Sequence, residues 1–311
     1  MRIAVTGAYG FSGKYIARRL LDLEHDVITL TNSPHRANPF GESVKAFPYN
    51  FSKPLELENS LRGVDVLINT YWVRFNKPPY FSFAQAVVNA TVLFDSAKRA
   101  GVRRLIHISI THPNRCSDLP YFRGKAEIEE HIKETGLSHV ILRPAVLFGR
   151  EDILINNIAW ALRTLPVFGI YGDGRYRLQP IYVDDLAAAV VARVEGEANE
   201  TVDAIGPETF RYRGLVEMIA REIGSQAMIV SMPPMLAFQG VRVLGWMVGD
   251  VINTRDEVKG LMQERLYVDS PPIGTTKLSD WVRAHRERIG RQYASEVQRR
   301  FDRVSAYQQN D

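Results

Sequence analysis

The sequence holds a single cysteine, Cys116, in 311 residues. One thiol excludes an intrachain disulfide and any CxxC metal or redox centre, so the fold must rest on its core. Charge imbalance is also small. The chain has 39 Lys+Arg against 35 Asp+Glu, a net charge of +4, which permits anionic small molecules and does not by itself argue for nucleic acid. Interleaved basic and aromatic residues are missing too, so no nucleic-acid partner is expected. Long apolar runs are absent. The most apolar window, 232–252, is broken by Pro233, Pro234, Gln239, Arg242 and Asp250, and a spanning helix needs about 20 consecutive apolar residues. No apolar stretch precedes the first glycines, so no signal peptide is expected and the protein is read as cytoplasmic. None of the seven histidines pairs with another ligand at metal-binding spacing, and no metal site is expected.

What is present is the composition of an ordinary globule, with 45% hydrophobic and 24% charged residues. The length suits two domains or one large one. Short β-branched runs at 3–6, 27–31, 44–47, 64–69, 105–109 and 140–142 are nearly all apolar, the mark of strands buried on both faces of a parallel sheet. Helical patterns lie between them at 12–23, 55–61, 83–100 and 121–135, the third ending before Gly101. This alternation predicts an α/β fold: a Rossmann-type doubly wound parallel sheet with a smaller, mostly helical C-terminal part. The expected division is 1–148, completed by 181–206, with 149–311 as a C-terminal substrate region interleaved with the sheet. Beyond Pro144 the pattern predicts a helix at 152–165, a strand at 178–183 and a helix at 184–194. A strand at 201–205, a helix at 213–223 and an apolar helical region at 232–262 follow.

The first strand runs into Thr6-Gly7-Ala8-Tyr9-Gly10-Phe11-Ser12-Gly13 and then a helix. Gly7 would allow a tight turn, Gly10 close approach to a pyrophosphate, and Gly13 close packing of helix on strand. N–H groups at the helix start would then face the phosphates. A glycine triplet is informative here because a strand precedes it and a helix follows. The adenosine ribose should meet the end of the second strand. No carboxylate occurs from Val27 to Gly41, and Asn32, Ser33 and Arg36 stand there. That favours NADP(H), with NAD(H) the alternative.

Tyr121 and Lys125 stand four apart at a helix start, so they share a face. A phenol acting near neutral pH needs its pKa of about 10 lowered by roughly three units, which an adjacent ammonium and an oxidised nicotinamide would supply.

These motifs, with Asn89, His107-Ile108-Ser109, Arg143-Pro144 and Tyr182-Val183-Asp184-Asp185, resemble the short-chain dehydrogenase/reductase superfamily, in its extended or atypical branch. The runs Leu147–Asp152, Gln179–Asp185 and Gly290–Glu296 resemble bacterial relatives of the accessory subunit of respiratory complex I that shares this fold. The resemblance implies a bound NAD(P)(H), Tyr121 as proton donor or acceptor and Lys125 as its partner. It also implies a substrate cleft, with loops 71–83, 151–158 and 169–179 supplying specificity. Cofactor contacts are expected from Gly7, Tyr9, Gly10, Phe11, Ser12, Gly13, Asn32, Ser33, Arg36, Asn50, Phe51, Asn69, Thr70, Lys125 and Pro144. Two departures stand out. Ile110 occupies the position of the usual second serine, leaving Ser109 and Thr111 as substitutes. The adenine-side Asp is Asn50.

The leading expectation is an oxidoreductase acting on a small carbonyl or alcohol, or an epimerase or dehydratase using the cofactor transiently. The alternative is a non-catalytic dinucleotide-binding protein with a structural, sensing or assembly role. The substrate is unassigned, and a homodimer or protein partner is allowed. Asp184 and Asp185 are read as helix caps, the seven arginines of 281–304 as a solvated helix face, and 233–251 as core.

Overall fold

The computed structural model describes residues 1–305. Along the chain the elements are β1 (Arg2–Thr6), α1 (Phe11–Asp22), β2 (Asp26–Thr31), β3 (Val44–Pro48), α2 (Pro54–Leu61), β4 (Val66–Asn69), α3 (Phe83–Arg99), β5 (Arg104–Ile108), α4 (Pro120–Thr135) and β6 (Ser138–Pro144). There follow β7 (Val146–Phe148), α5 (Leu154–Thr164), β8 (Val167–Tyr171), β9 (Arg177–Leu178), β10 (Pro180–Tyr182), α6 (Val183–Val191) and β11 (Glu200–Ala204). The last are β12 (Phe210–Arg211), α7 (Tyr212–Ile223), β13 (Met228–Met232), α8 (Pro234–Val248), α9 (Arg255–Met262), α10 (Leu278–His285) and α11 (Glu296–Phe301).

The chain divides into two units. The first takes Met1–Pro144, Leu186–Asp203 and residues 303–305. Its seven-stranded sheet has the order β3-β2-β1-β4-β5-β6-β11, and the pairs from β3 through β6 are parallel. Strand order reverses between β1 and β4, where an open α/β sheet places its ligand crevice. Ala4, Leu30, Leu67, Leu93, Phe94, Leu105, Ile128 and Ile141 meet in its core. The strands are apolar on both faces because helices cover both. β3 is the exception: as an edge strand it buries only Val44 fully. Gly101, with φ +85°, stops α3, and Gly136, with φ +72°, stops α4.

The second unit takes Ala145–Asp185 and Ala204–Asp302. Its core gathers Phe148, Ile155, Leu162, Ile170, Leu178, Leu215, Ile219, Trp281 and Val282. Four expectations are corrected there. The strand expected at 178–183 is two short strands: the Gln179 N–H donates to the Leu266 carbonyl at 3.0 Å, and its side chain accepts from the Val268 N–H at 2.8 Å. Asp185 does not cap α6. Its carboxylate accepts from the Thr275 and Thr276 N–H groups at 2.7 Å each and from the Thr276 hydroxyl at 3.0 Å. The apolar stretch at 233–251 is not core. α8 buries only Ala237 and Gly245, while Met235, Leu236, Val243, Trp246 and Met247 are exposed, Trp246 by 85%. The basic C-terminal stretch is two helices, α10 and α11, and its Arg299 is buried, donating to the Glu151 carbonyl at 2.6 Å.

Candidate dinucleotide site

The turn between β1 and α1 is built on backbone. Gly7 has φ +68°, a region that favours glycine. Its N–H donates to the Leu30 carbonyl and its own carbonyl accepts from the Gly10 N–H, both at 2.8 Å. A Cβ on Gly13 would lie 2.2 Å from the Gly7 carbonyl oxygen, and one on Gly10 would lie 3.2 Å from it. Helix and strand therefore pack too closely for any side chain at 13. α1 begins with no capping side chain and no acid in its first turn. Its Phe11 and Ser12 end thus presents N–H groups and the positive end of the helix dipole without a competing carboxylate. This cradle fits a pyrophosphate. Tyr9 faces elsewhere: its ring is buried and its hydroxyl donates to the Val44 carbonyl at 2.9 Å, tying the turn to β3.

At the adenosine end Asn32 is exposed, and the Ser33 N–H donates to the Thr31 hydroxyl at 3.0 Å. The Arg36 guanidinium donates to the Ser305 carbonyl at 3.2 Å. Asn50 takes φ +46° and places Phe51 in a stack with Tyr49, ring centroids 4.7 Å apart. Tyr71 closes on both rings at 5.1 Å, and its hydroxyl accepts from Asn89 at 2.8 Å. Burial pushes the Tyr49 phenol well up from its ordinary value.

Asn69 and Thr70, at the end of β4, are bound to the end of β1. The Thr6 hydroxyl donates to Asn69 Oδ1 at 3.1 Å and accepts from the Thr70 N–H at 2.7 Å. The Thr70 hydroxyl donates to the Thr6 carbonyl at 2.5 Å. The Asn69 amide also meets His107 Nδ1 at 3.0 Å. Asn69 is fully buried, and its side chain ties the ends of β1, β4 and β5 together.

Beyond β5 the arrangement departs from the expected relay. Ser109 donates to the buried Glu129 carboxylate at 2.5 Å. Arg143 grips that carboxylate with two donors, at 3.0 and 2.5 Å. Ile110 is buried. Thr111 is buried too, its N–H donating to the Pro144 carbonyl at 3.1 Å. Lys125 is 2% exposed. Its ammonium donates to the Ile108 carbonyl at 2.8 Å and lies 4.8 Å from the centre of the Trp72 ring. Burial pulls this lysine down to about 7, against a smaller upward pull from Glu129. Tyr121 is half-buried, edge-on to Trp72 at 5.8 Å and to Phe83 at 5.6 Å. His107 is held neutral, its pKa well below the ordinary value through burial and then the nearby Lys125. Trp72 Nε1 and His107 Nε2 are buried without a hydrogen-bond partner among the described residues.

Of the expected catalytic set, Lys125 is thus buried with its ammonium on the Ile108 carbonyl, and Ser109 has its hydroxyl on Glu129. The sequence reading took Trp72 and Tyr71 only as part of the 71–83 loop, and it missed Tyr49 and Glu129; of these, Trp72, Tyr71 and Tyr49 lie beside the expected site on one edge of the sheet. Tyr49 follows the carboxyl end of β3 as Tyr71 and Trp72 follow that of β4, an edge where ligands gather, so position alone could have raised Tyr49. Gly124 carried a further sign of Trp72: a Cβ there would stand 3.0 Å from the indole.

Residues 7–156 match the sequence model of a family described as NAD(P)H-binding. That match takes in just under half of the chain, including the Gly7–Gly13 turn. Over 286 residues the chain is 25% identical to the mitochondrial NADH dehydrogenase (ubiquinone) 1 alpha subcomplex subunit 9 of Arabidopsis thaliana. That match covers 86% of this chain and 71% of the relative. Among solved structures, the Citrobacter sp. triphenylmethane reductase superposes with a TM-score of 0.76 at 18% identity, covering 92% of this chain and 100% of that one. The NADPH-dependent quinone oxidoreductase QOR2 of Escherichia coli, complexed with NADPH, gives 0.74 at 20% identity, covering 90% and 98%. The likeness to these two structures is one of fold. Among the described residues no helix is long and apolar enough to cross a membrane, and no group of His, Cys, Asp and Glu could hold a metal.

Proposed function

We propose that this chain holds an NAD(P)(H) dinucleotide on the Gly7–Gly13 turn as a bound group and performs no hydride transfer of its own. One observation carries the reading: the hydroxyl at the end of β5 is spent. Ser109 donates to Glu129, and the next side chain is the apolar, buried Ile110. No serine hydroxyl is left at that strand end to polarise a substrate oxygen. Lys125 supports the same reading. Burial holds this lysine well below its ordinary value, which weakens it as the group that lowers a phenol's pKa. The likeness to a subunit of NADH dehydrogenase adds support for a role within an assembly. At the adenosine end, the carboxylate-free stretch with Arg36 supports NADP(H), and NAD(H) fits the same cradle.

A second reading, an oxidoreductase acting on a small carbonyl or alcohol, is favoured by the retained Tyr121 and Lys125. The test follows the nicotinamide absorbance band with reduced cofactor bound, across aldehydes, ketones, quinones and sugar nucleotides. Binding without turnover is the expected result. Turnover that Tyr121→Phe lowers by roughly 10²–10⁴, the worth of a positioned acid–base group, would replace this reading with the second.

A further inference from the structure

Residues 303–305 cluster with the first unit, and their backbone is laid on the loop that follows β2. The Val304 carbonyl accepts from the Ala37 N–H at 2.8 Å. The Ser305 carbonyl accepts from the Arg36 guanidinium at 3.2 Å. This loop is the one assigned above to the ribose 2′ end, and the inference rests on that assignment. We propose that residues 303–305 form a strap that sets the dinucleotide preference, favouring NAD(H) while closed and admitting NADP(H) when lifted.

The argument is one of donors and acceptors. A 2′-phosphate is a dianion near neutral pH whose oxygens need donors, best a guanidinium supported by backbone N–H groups. Here one guanidinium N–H and the Ala37 N–H already point at carbonyl oxygens. The two carbonyl oxygens thus occupy donors that a phosphate in this loop would need, and their partial negative charge opposes an anion there. A 2′-hydroxyl behaves differently, because it is itself a donor and a backbone carbonyl is a good acceptor for it. The closed strap thus suits the hydroxyl and opposes the phosphate. The strap is also easy to lift. Arg303, Val304 and Ser305 are exposed, Val304 by 68%, so little apolar burial holds it and its carbonyl hydrogen bonds to Ala37 and Arg36 compete with water.

The experiment keeps the full chain. Val304→Gly with Ser305→Gly loosens the strap by raising the entropy lost on ordering it, and it leaves Arg36 and every core residue in place. Calorimetry gives the affinities of NADH and NADPH for the parent, this double variant, Arg36→Ala and the triple combination; thermal unfolding confirms an unchanged fold. The expected result is NADPH binding tightened about fivefold or more in the double variant, with NADH unchanged and the gain cancelled by Arg36→Ala. An unchanged NADPH-to-NADH ratio in the double variant, with Arg36→Ala still weakening NADPH, overturns the strap and spares the loop assignment. A gain that survives Arg36→Ala overturns the strap as well. If Arg36→Ala affects NADPH in neither background, the assignment of this loop to the 2′ end fails, and the strap with it.

Discussion

Gly13 is the least replaceable residue of the turn. A methyl group there would sit 2.2 Å from a backbone oxygen, which only a shift of helix against strand relieves. Gly13→Ala is therefore expected to cost about 1–3 kcal/mol, the usual range for overpacking, as read by urea unfolding; an unchanged midpoint would contradict the packing. Lys125 makes a prediction in pH. In the fold it titrates at about 7, against 10.5 for a free lysine. Below about pH 7 it is charged in both states, and the fold carries the whole cost of burying the charge. From 7 to 10.5 the unfolded chain binds more protons than the folded one, so stability rises with pH. Lys125→Met removes that slope. The parent should gain about 1–2 kcal/mol relative to the variant between pH 7 and pH 9, and a pH-independent difference would show that the ammonium is not held down. Residue by residue, the turn's backbone was legible in advance because its requirements are local: Gly7 with positive φ and Gly13 without room sit six residues apart. Ser109 was not, because its partner Glu129 lies twenty positions on and meets it only after β5 and α4 pack.

Among the elements, the strands and helices of the first 144 residues read directly from the sequence, since buried parallel strands and amphipathic helices have different periods. α8 did not. Its apolar composition suggested burial, yet a run apolar on every side does not say which side is covered. The structure leaves Trp246 85% exposed while Leu215 on α7 is fully buried. The two should respond in opposite ways to truncation. Leu215→Ala is expected to cost about 2–5 kcal/mol. Trp246→Ser should stay within about 0.5 kcal/mol, as exposed substitutions do. Denaturant midpoints of the two variants decide it; a large loss at Trp246 would mean that the exposed face of α8 is covered in the free protein.

In the whole molecule, the chain leaves the first unit at Pro144 and returns at Leu186. Leu186, Ala187 and Val190 are fully buried, and β11 then lines up beside β6. A fragment ending at residue 148 lacks both, leaving β6 as an unpaired, apolar edge. Such edges promote aggregation, so fragment 1–148 should leave a larger insoluble fraction than the full chain expressed beside it; a soluble, cooperatively folding fragment would contradict this. The sheet belongs to one continuous argument with the turn: the reversal of strand order between β1 and β4 places Gly7 and Thr70 at one edge, where a dinucleotide would lie. The central claim is that Gly7–Gly13 binds that dinucleotide, and calorimetric titration of the full chain with NADH and NADPH, beside Gly10→Val, tests it most directly. A Cβ at position 10 would point into the phosphate cradle while approaching the protein no closer than 3.2 Å. The account predicts one dinucleotide per chain for the parent and none for a folded Gly10→Val, whereas equal binding by the two, or no binding by the parent, would contradict it.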